Sequence, residues 1–413
     1  MPKPHTLVVF SIHLPLRQAV LAFVSFHLIL FFIPAQAQRS KEFRGVWIAT
    51  VDNIDWPAKG NLLPDSQRAA FVRLLDFHRA NGINTVIVQI RPCADAFYPS
   101  PMEPWSEWLT GVQGMSPSPY YDPLEFMVTE AHRRGMAFHA WLNPYRAEFN
   151  PASAATSPTH ITRLHPDWFI AYANKRYFDP GNPAARKYVT AVVEDIVTRY
   201  AVDAIHFDDY FYPYKVDNLP FPDTASFRKF AKGLPLADWR RSNTDSIILD
   251  VSRAIRLSGK AVRFGVSPFG IWRNRSADPG EGSNTNGGLS NYDDLFADIL
   301  KWLRQGWIDY VCPQLYWEFE HRQAPFGELL DWWSRHTYGR DCYIGLGIYK
   351  SGSNPAWSSR QQLPRQIRAI RNTPHIGGMA FYSSKFLEKN VNGWADSLRV
   401  NYFSEPALPP DFR

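Results

Sequence analysis

Two adjacent carboxylates, Asp208 and Asp209, stand where an apolar stretch stops. Val202-Asp203-Ala204-Ile205-His206-Phe207 precedes them, and Tyr210-Phe211-Tyr212-Pro213 follows. Ala204, Ile205 and Phe207 read as a strand covered on both faces, and Pro213 ends any pairing. Asp is also an ordinary turn residue, so taken alone the pair leaves a charged strand-to-loop turn open. A third acid, Glu318, follows the run 310–316 and is flanked by Trp317 and Phe319. Carboxylates at different strand ends meet the needs of glycosidic-bond hydrolysis. One must be ionised, to attack or to stabilise an oxocarbenium ion, and one protonated, to supply the leaving oxygen. Asp208 takes the first role here, with cationic or hydrogen-bonding neighbours expected to hold its pKa low. Glu318 takes the second, because its aromatic flanks would desolvate it. Asp209 is the rival for either.

Such groups need a scaffold that brings strand ends together. From Phe43 onward, short apolar runs alternate with amphipathic stretches, the pattern of βα units on a parallel sheet. Strands are predicted at residues 44–50, 85–90, 137–142, 202–207, 263–267, 310–316, 343–348 and 378–382, with helices between them. The predicted fold is an α/β (β/α)8 TIM barrel, a single domain with long βα loops. A doubly wound open sheet is the alternative, but neither of its phosphate-binding glycine motifs is present.

In a barrel the chemistry belongs at the C-terminal ends of the strands. Those ends supply Asp52, Arg91, Asn143, Asp208, Asp209, Ser267, Glu318 and Tyr382, whereas the opposite ends supply turn residues such as Gly82, Gly135 and Gly306. Alternation puts His139, Trp141 and Asn143 on one face, His206 with Asp208, and Gln314, Tyr316 and Glu318 together. Each histidine alone reads as a satisfied core imidazole; with Asp208 they read as a cleft floor. The candidate substrate-binding set is Trp47, Asp52, Trp56, Arg91, Trp141, Asn143, Tyr145, His206, Tyr210, Gln314, Tyr316, Trp317 and Tyr382. Residues 268–290, rich in Gly, Asn and Ser, are predicted to be a long mobile loop, and residues 292–304 and 245–257 to be helices.

Composition narrows the function class. The 413 residues carry a net charge of +6, of which Lys3 and Arg17 supply two, and the basic residues are scattered. That is no nucleic-acid footprint. Aromatics make up 15% of the chain, with 15 Trp, more than a core needs and suited to stacking on sugar rings. The three cysteines have no metal-ligand spacing, and neither a metal nor a cofactor is expected. A Cys312–Cys342 disulfide is compatible with an exported chain. Residues 1–37 read as a signal peptide: basic residues, an apolar run from Ala19 to Ala35, then Ala35-Gln36-Ala37 as a cleavage site. An uncleaved anchor is the alternative reading. The barrel then spans residues 38–400, and residues 401–413 form a Pro-rich tail. The expected location is periplasmic or extracellular, associated with the envelope, with no membrane span left after cleavage.

Several stretches together carry a resemblance. They are Phe43-Arg44-Gly45-Val46-Trp47-Ile48-Ala49-Thr50-Val51 with Asp55-Trp56-Pro57, Gln89-Ile90-Arg91-Pro92, and Trp141-Leu142-Asn143-Pro144-Tyr145-Arg146. To these add His206-Phe207-Asp208-Asp209-Tyr210-Phe211-Tyr212-Pro213 and Pro313-Gln314-Leu315-Tyr316-Trp317. Over residues 42–398 the chain resembles bacterial glycosyl-hydrolase-like family ten. The resemblance implies a barrel glycosidase of the cell envelope acting on peptidoglycan glycan strands stripped of stem peptides, with cell-division proteins as partners. Family members are often lipoproteins, but no Cys follows the leader here. An acid on the fourth strand and one after the sixth also resembles the α-galactosidase layout, by analogy only. The competing readings are a hydrolase of another extracellular polysaccharide and a non-catalytic carbohydrate-binding barrel. A metal-dependent deacetylase would need ligand spacing that is missing.

Overall fold

The computed structural model describes residues 41–151 and 156–410. The leader and its cleavage site lie outside the described residues, as do residues 411–413. Eight parallel strands close into a barrel: β1 (Phe43–Ile48), β2 (Thr85–Arg91), β3 (Ala137–Leu142), β4 (Ala204–Phe207), β5 (Arg263–Val266), β6 (Tyr310–Val311), β7 (Asp341–Leu346) and β8 (Gly378–Phe381). Each pairs with its neighbours in sequence, and β8 closes on β1. Apolar residues on both faces of each strand make this arrangement stable: one face packs inside the barrel, the other under the helices.

The barrel interior is aromatic. Phe43, Trp47, Trp141, Tyr310 and Tyr343 fill it with small residues between them. Phe43 stacks on Tyr343 with ring centroids 4.0 Å apart. This filling needs compensating gaps. A Cβ at Gly265 would lie 2.0 Å from the Tyr310 ring, so glycine there makes room for it. Tyr310 Oη in turn meets Nδ1 of both His139, at 2.9 Å, and His206, at 2.8 Å. The outer shell of Val, Ile, Leu and Trp against the helices is the larger core.

Several sequence expectations change. β6 stops at Val311 instead of reaching residue 316, because Pro313 has no N–H to give the ladder. Beyond it, Gln314 makes only single bridges to Phe269 and Gly345. Cys312 and Cys342 are free thiols. They sit on neighbouring strands, but Cys312 belongs to the interior cluster and Cys342 to the outer one, so the barrel wall separates them. The stretch 268–290 is tied down rather than mobile. Asn274 accepts from Thr285 Oγ1 at 2.7 Å and donates to the Gly287 carbonyl at 2.9 Å, and Arg275 N donates to the Ser283 carbonyl at 2.7 Å. Its Gly and Asn serve turns, not slack. The helix expected over 292–304 is only Ile299–Arg304, since Asp294 folds back onto Ser290 N at 2.6 Å. The one expected over 245–257 is longer, Leu236–Leu257.

A three-stranded antiparallel sheet (Arg146–Glu148, Phe169–Tyr172, Lys175–Phe178) was not foreseen. Its hairpin turns at Ala173-Asn174, both with positive φ, without the glycine that usually signals such a turn. The tail is docked. Glu42 N donates to the Leu408 carbonyl at 3.1 Å and Asn84 Nδ2 to the Ala407 carbonyl at 3.1 Å.

Gly265→Ala tests the packing of the interior. A methyl pressed into the Tyr310 ring is overpacking, worth about 1–3 kcal/mol of stability. A denaturation midpoint matching that of the parent would show that the interior has slack.

Candidate functional site

At the C-terminal mouth of the barrel lies a cavity of about 340 Å³, floored by Asp208 and Asp209. Both carboxylates are almost fully buried. β4 ends at Phe207, so they leave the strand together and inherit its burial.

Their surroundings differ. Asp208 accepts from Trp141 Nε1 at 3.0 Å, from Asn143 Nδ2 at 3.0 Å and from Tyr210 N at 3.3 Å. The guanidinium of buried Arg146 adds a positive field. Arg146 is itself held by its N–H to the Pro92 carbonyl and lies over the Tyr210 ring. Burial still outweighs these partners and leaves the Asp208 pKa above the ordinary value, not below it as expected from sequence. Asp209 has less support. Tyr214 Oη donates to it at 2.5 Å, but burial, and then the charge of Asp208, push its pKa up to about 7. Asp208 therefore ionises first, and Asp209 holds its proton near neutrality.

Beneath Asp208 two buried histidines are hydrogen-bonded into one column. The Trp47 indole can only donate, and it gives its proton to His206 Nε2 at 3.3 Å. His206 Nε2 also meets Ser267 Oγ at 2.9 Å, and the Nδ1 atoms of His206 and His139 both face Tyr310 Oη. Burial drives the His206 pKa down to about 3, so the column is neutral. His206 and Asn143 are supports beneath the cavity, not part of its wall.

Of the predicted set, Trp47, Trp141, Asp208, Asp209, Tyr210, Gln314, Tyr316, Trp317 and Tyr382 line this cavity. The others serve elsewhere. Arg91 is fully buried in an ion pair with Glu103 at 2.6 Å and donates to the Asn143 carbonyl at 2.6 Å, so it braces the support of Asp208. Trp56 is a core residue whose indole donates to the Gln67 carbonyl at 3.1 Å. Tyr145 is fully buried. Asp52 is exposed and borders a separate hollow beside Trp108. Glu318 does not line the cavity; its carboxylate accepts from Trp357 Nε1 at 2.9 Å. The break at Pro313 takes it off the inward face that strict alternation gave it.

Sequence reasoning did not single out Tyr214, Arg146, Phe269, Tyr349 or Lys350. Tyr214 continues the aromatic run beyond Pro213, and Arg146 ends the motif begun by Trp141. Lys350 and Tyr349 belong to a short turn after β7 that has no pattern of its own. Among the described residues no group of His, Cys, Asp and Glu could hold a metal ion, and no helix is long and apolar enough to cross a membrane.

Residues 42–361 match the family described as glycosyl hydrolase-like 10. The chain belongs to that family. It is 45% identical over 383 residues to glycosyl hydrolase YngK of Bacillus subtilis, covering 91% of this chain and 74% of the relative. It is 38% identical over 384 residues to glycosyl hydrolase DigH of Escherichia coli, covering 86% of each. In fold it is similar to the glycoside hydrolase domain of PgaB (BpsB) from Bordetella bronchiseptica. The TM-score is 0.56 at 15% identity, over 87% of this chain and 98% of that one. The catalytic domain of a Paenibacillus polymyxa β-amylase is also similar, with a TM-score of 0.55 at 11% identity over 89% and 99% of the two chains. This glycosyl hydrolase-like 10 barrel is a glycoside hydrolase, and the Asp208–Asp209 cavity is its candidate site.

The raised Asp209 pKa has a stability consequence. Its folded value is about 7 against an ordinary 3.8. Below the lower value both folded and unfolded chains bind the proton, and nothing is lost. Above the higher value the folded chain must carry a buried charge. Asp209→Asn removes that penalty, so its denaturation midpoint should rise relative to the parent between about pH 4 and pH 7. A difference that is the same at pH 4 and pH 8 would contradict this assignment.

Proposed function

We propose that this protein is an exported hydrolase of cell-envelope glycan, and that its substrate is the peptidoglycan glycan strand freed of stem peptides. One observation carries the catalytic part of this reading: a proton-holding Asp209 beside a hydrogen-bonded Asp208 in an aromatic-walled cavity. Trp47, Trp141, Tyr316 and Tyr382 offer ring faces to the C–H faces of sugars. Export is supported by the leader sequence, and the glycan by the motif resemblance.

In this reading Asp209, not Glu318, gives its proton to the glycosidic oxygen as the bond to the anomeric carbon breaks. Asp208 remains ionised and stabilises the positive charge that develops on the ring until water adds to the anomeric carbon and gives a proton back to Asp209. Trp141 and Asn143 hold its carboxylate still, so little reorganisation is needed at the transition state. Tyr214 orients Asp209.

The test is digestion of purified sacculi with and without amidase pretreatment, read by product mass. Stripped strands should be cut and intact sacculi spared. Asp208→Asn should slow turnover by about a thousandfold. Asp209→Asn should do the same on natural glycan but recover on an activated aryl glycoside, which needs little protonation. Glu318→Gln should stay within a few-fold of the parent. Loss of activity in Glu318→Gln with a working Asp209→Asn would reverse the acid assignment. The exported fraction should carry an N-terminus at or near Gln38, and an intact Met1 in a membrane fraction would show that residues 1–37 are an anchor instead.

A further inference from the structure

Among the described residues that line the cavity, Lys350 is the only basic side chain. It ends the short turn Ile348–Lys350 just after β7. β7 is three strands around the ring from β4, so the ammonium and the Asp208–Asp209 pair come from separate parts of the mouth. Lys350 Nζ donates to the Tyr316 carbonyl at 2.5 Å. An ammonium has three donors, and this is the one hydrogen bond it makes among the described residues. No carboxylate pairs with it there. Glu318 acts on it only through its field, and that carboxylate is engaged by Trp357. Burial lowers the Lys350 pKa, with Glu318 opposing the shift, so the charge is held at some cost in solvation.

A half-buried charge of this kind calls for an explanation. Capping one carbonyl needs a donor but not a cation. Nor does the chemistry next door want one: a transition state with positive charge on the sugar ring is disfavoured by a second positive charge nearby. Arg146 already supplies the positive field on Asp208, which leaves the Lys350 ammonium available to an anion that the substrate brings.

We propose that Lys350 is a specificity residue that recognises a carboxylate carried by the sugar. The inference rests on the peptidoglycan reading above and deepens it. The muramic acid unit carries a lactyl ether. When a stem peptide is attached, that lactyl group is a neutral amide leading into a bulky chain. When the peptide is removed, the carboxylate is free, anionic and small. A lysine that selects the free carboxylate gives a preference for stripped strands without any contact to peptide. Tyr316, fixed through its carbonyl, keeps the ammonium in position beside a ring that packs on Tyr382.

The experiment compares two forms of the same peptide-free strands, one with free lactyl carboxylates and one with those groups converted to methylamides. Wild type should prefer the carboxylate form by about tenfold in kcat/KM, as for a hydrogen bond to a charged group, and mainly through KM. Lys350→Met should bring that ratio close to one, and Lys350→Arg should restore part of it. A merely structural lysine would slow both forms alike and leave the ratio unchanged. A wild-type ratio of one, or a Lys350→Met ratio equal to that of wild type, overturns the inference while the peptidoglycan reading stands. Failure of wild type to cut either form removes both.

Discussion

Burying two carboxylates at the end of one strand is the constraint on which the site depends. A carboxylate taken from water without partners is destabilised by several kcal/mol, and the usual escape is to bind a proton. β4 gives both acids the same burial but not the same partners. Trp141, Asn143 and the Tyr210 backbone donate to Asp208, and Arg146 adds its charge. Asp209 receives the Tyr214 hydroxyl and must also face the charge of Asp208. The fold therefore sorts two identical side chains into one that ionises first and one that keeps its proton.

Much of the surrounding structure serves that sorting. Arg91 and Glu103 neutralise each other in full burial, which lets Arg91 hold the Asn143 carbonyl without adding net charge near the site. Breaking such a pair would leave one buried charge unpaired. Below, the Trp47–His206–Tyr310–His139 chain stays neutral, so it does not compete with Arg146 for Asp208. The interior aromatics that make this column rigid depend on small residues opposite them, Gly265 above all.

The barrel was legible because its signals are periodic. Eight apolar runs separated by helical stretches admit few topologies, and alternation along β3 and β4 brought Trp141, Asn143, His206 and Asp208 to the right end. Where periodicity broke, the reading broke with it. Pro313 ends the ladder of β6, so counting by twos carried Gln314 and Tyr316 into the cavity but misplaced Glu318. Arg91 sat at a strand end as a catalytic group would; its partner Glu103 lies in a loop whose course no local pattern predicts. Asp52 and Trp56 had the right composition for a sugar site and the wrong positions. Strand neighbours also said nothing of wall sides, which is why Cys312 and Cys342 looked pairable. The raised Asp209 pKa is a property of burial and of a neighbouring charge, and sequence supplied only the neighbour.

Burial, and then the charge of Asp208 beside it, keep a proton on Asp209 up to about pH 7. Infrared titration of the buried carboxylic-acid band reads this directly in the parent, Asp208→Asn and Asp209→Asn proteins. The account predicts a band that disappears with a midpoint near pH 7 in the parent. Burial also raises the Asp95 pKa to about 7, so the band is read in the parent-minus-Asp209→Asn difference, where Asp95 cancels. It should titrate at lower pH when that difference is taken on an Asp208→Asn background. A parent-minus-Asp209→Asn difference that holds no neutral-pH acid band, or a midpoint unmoved by Asp208→Asn, would contradict it.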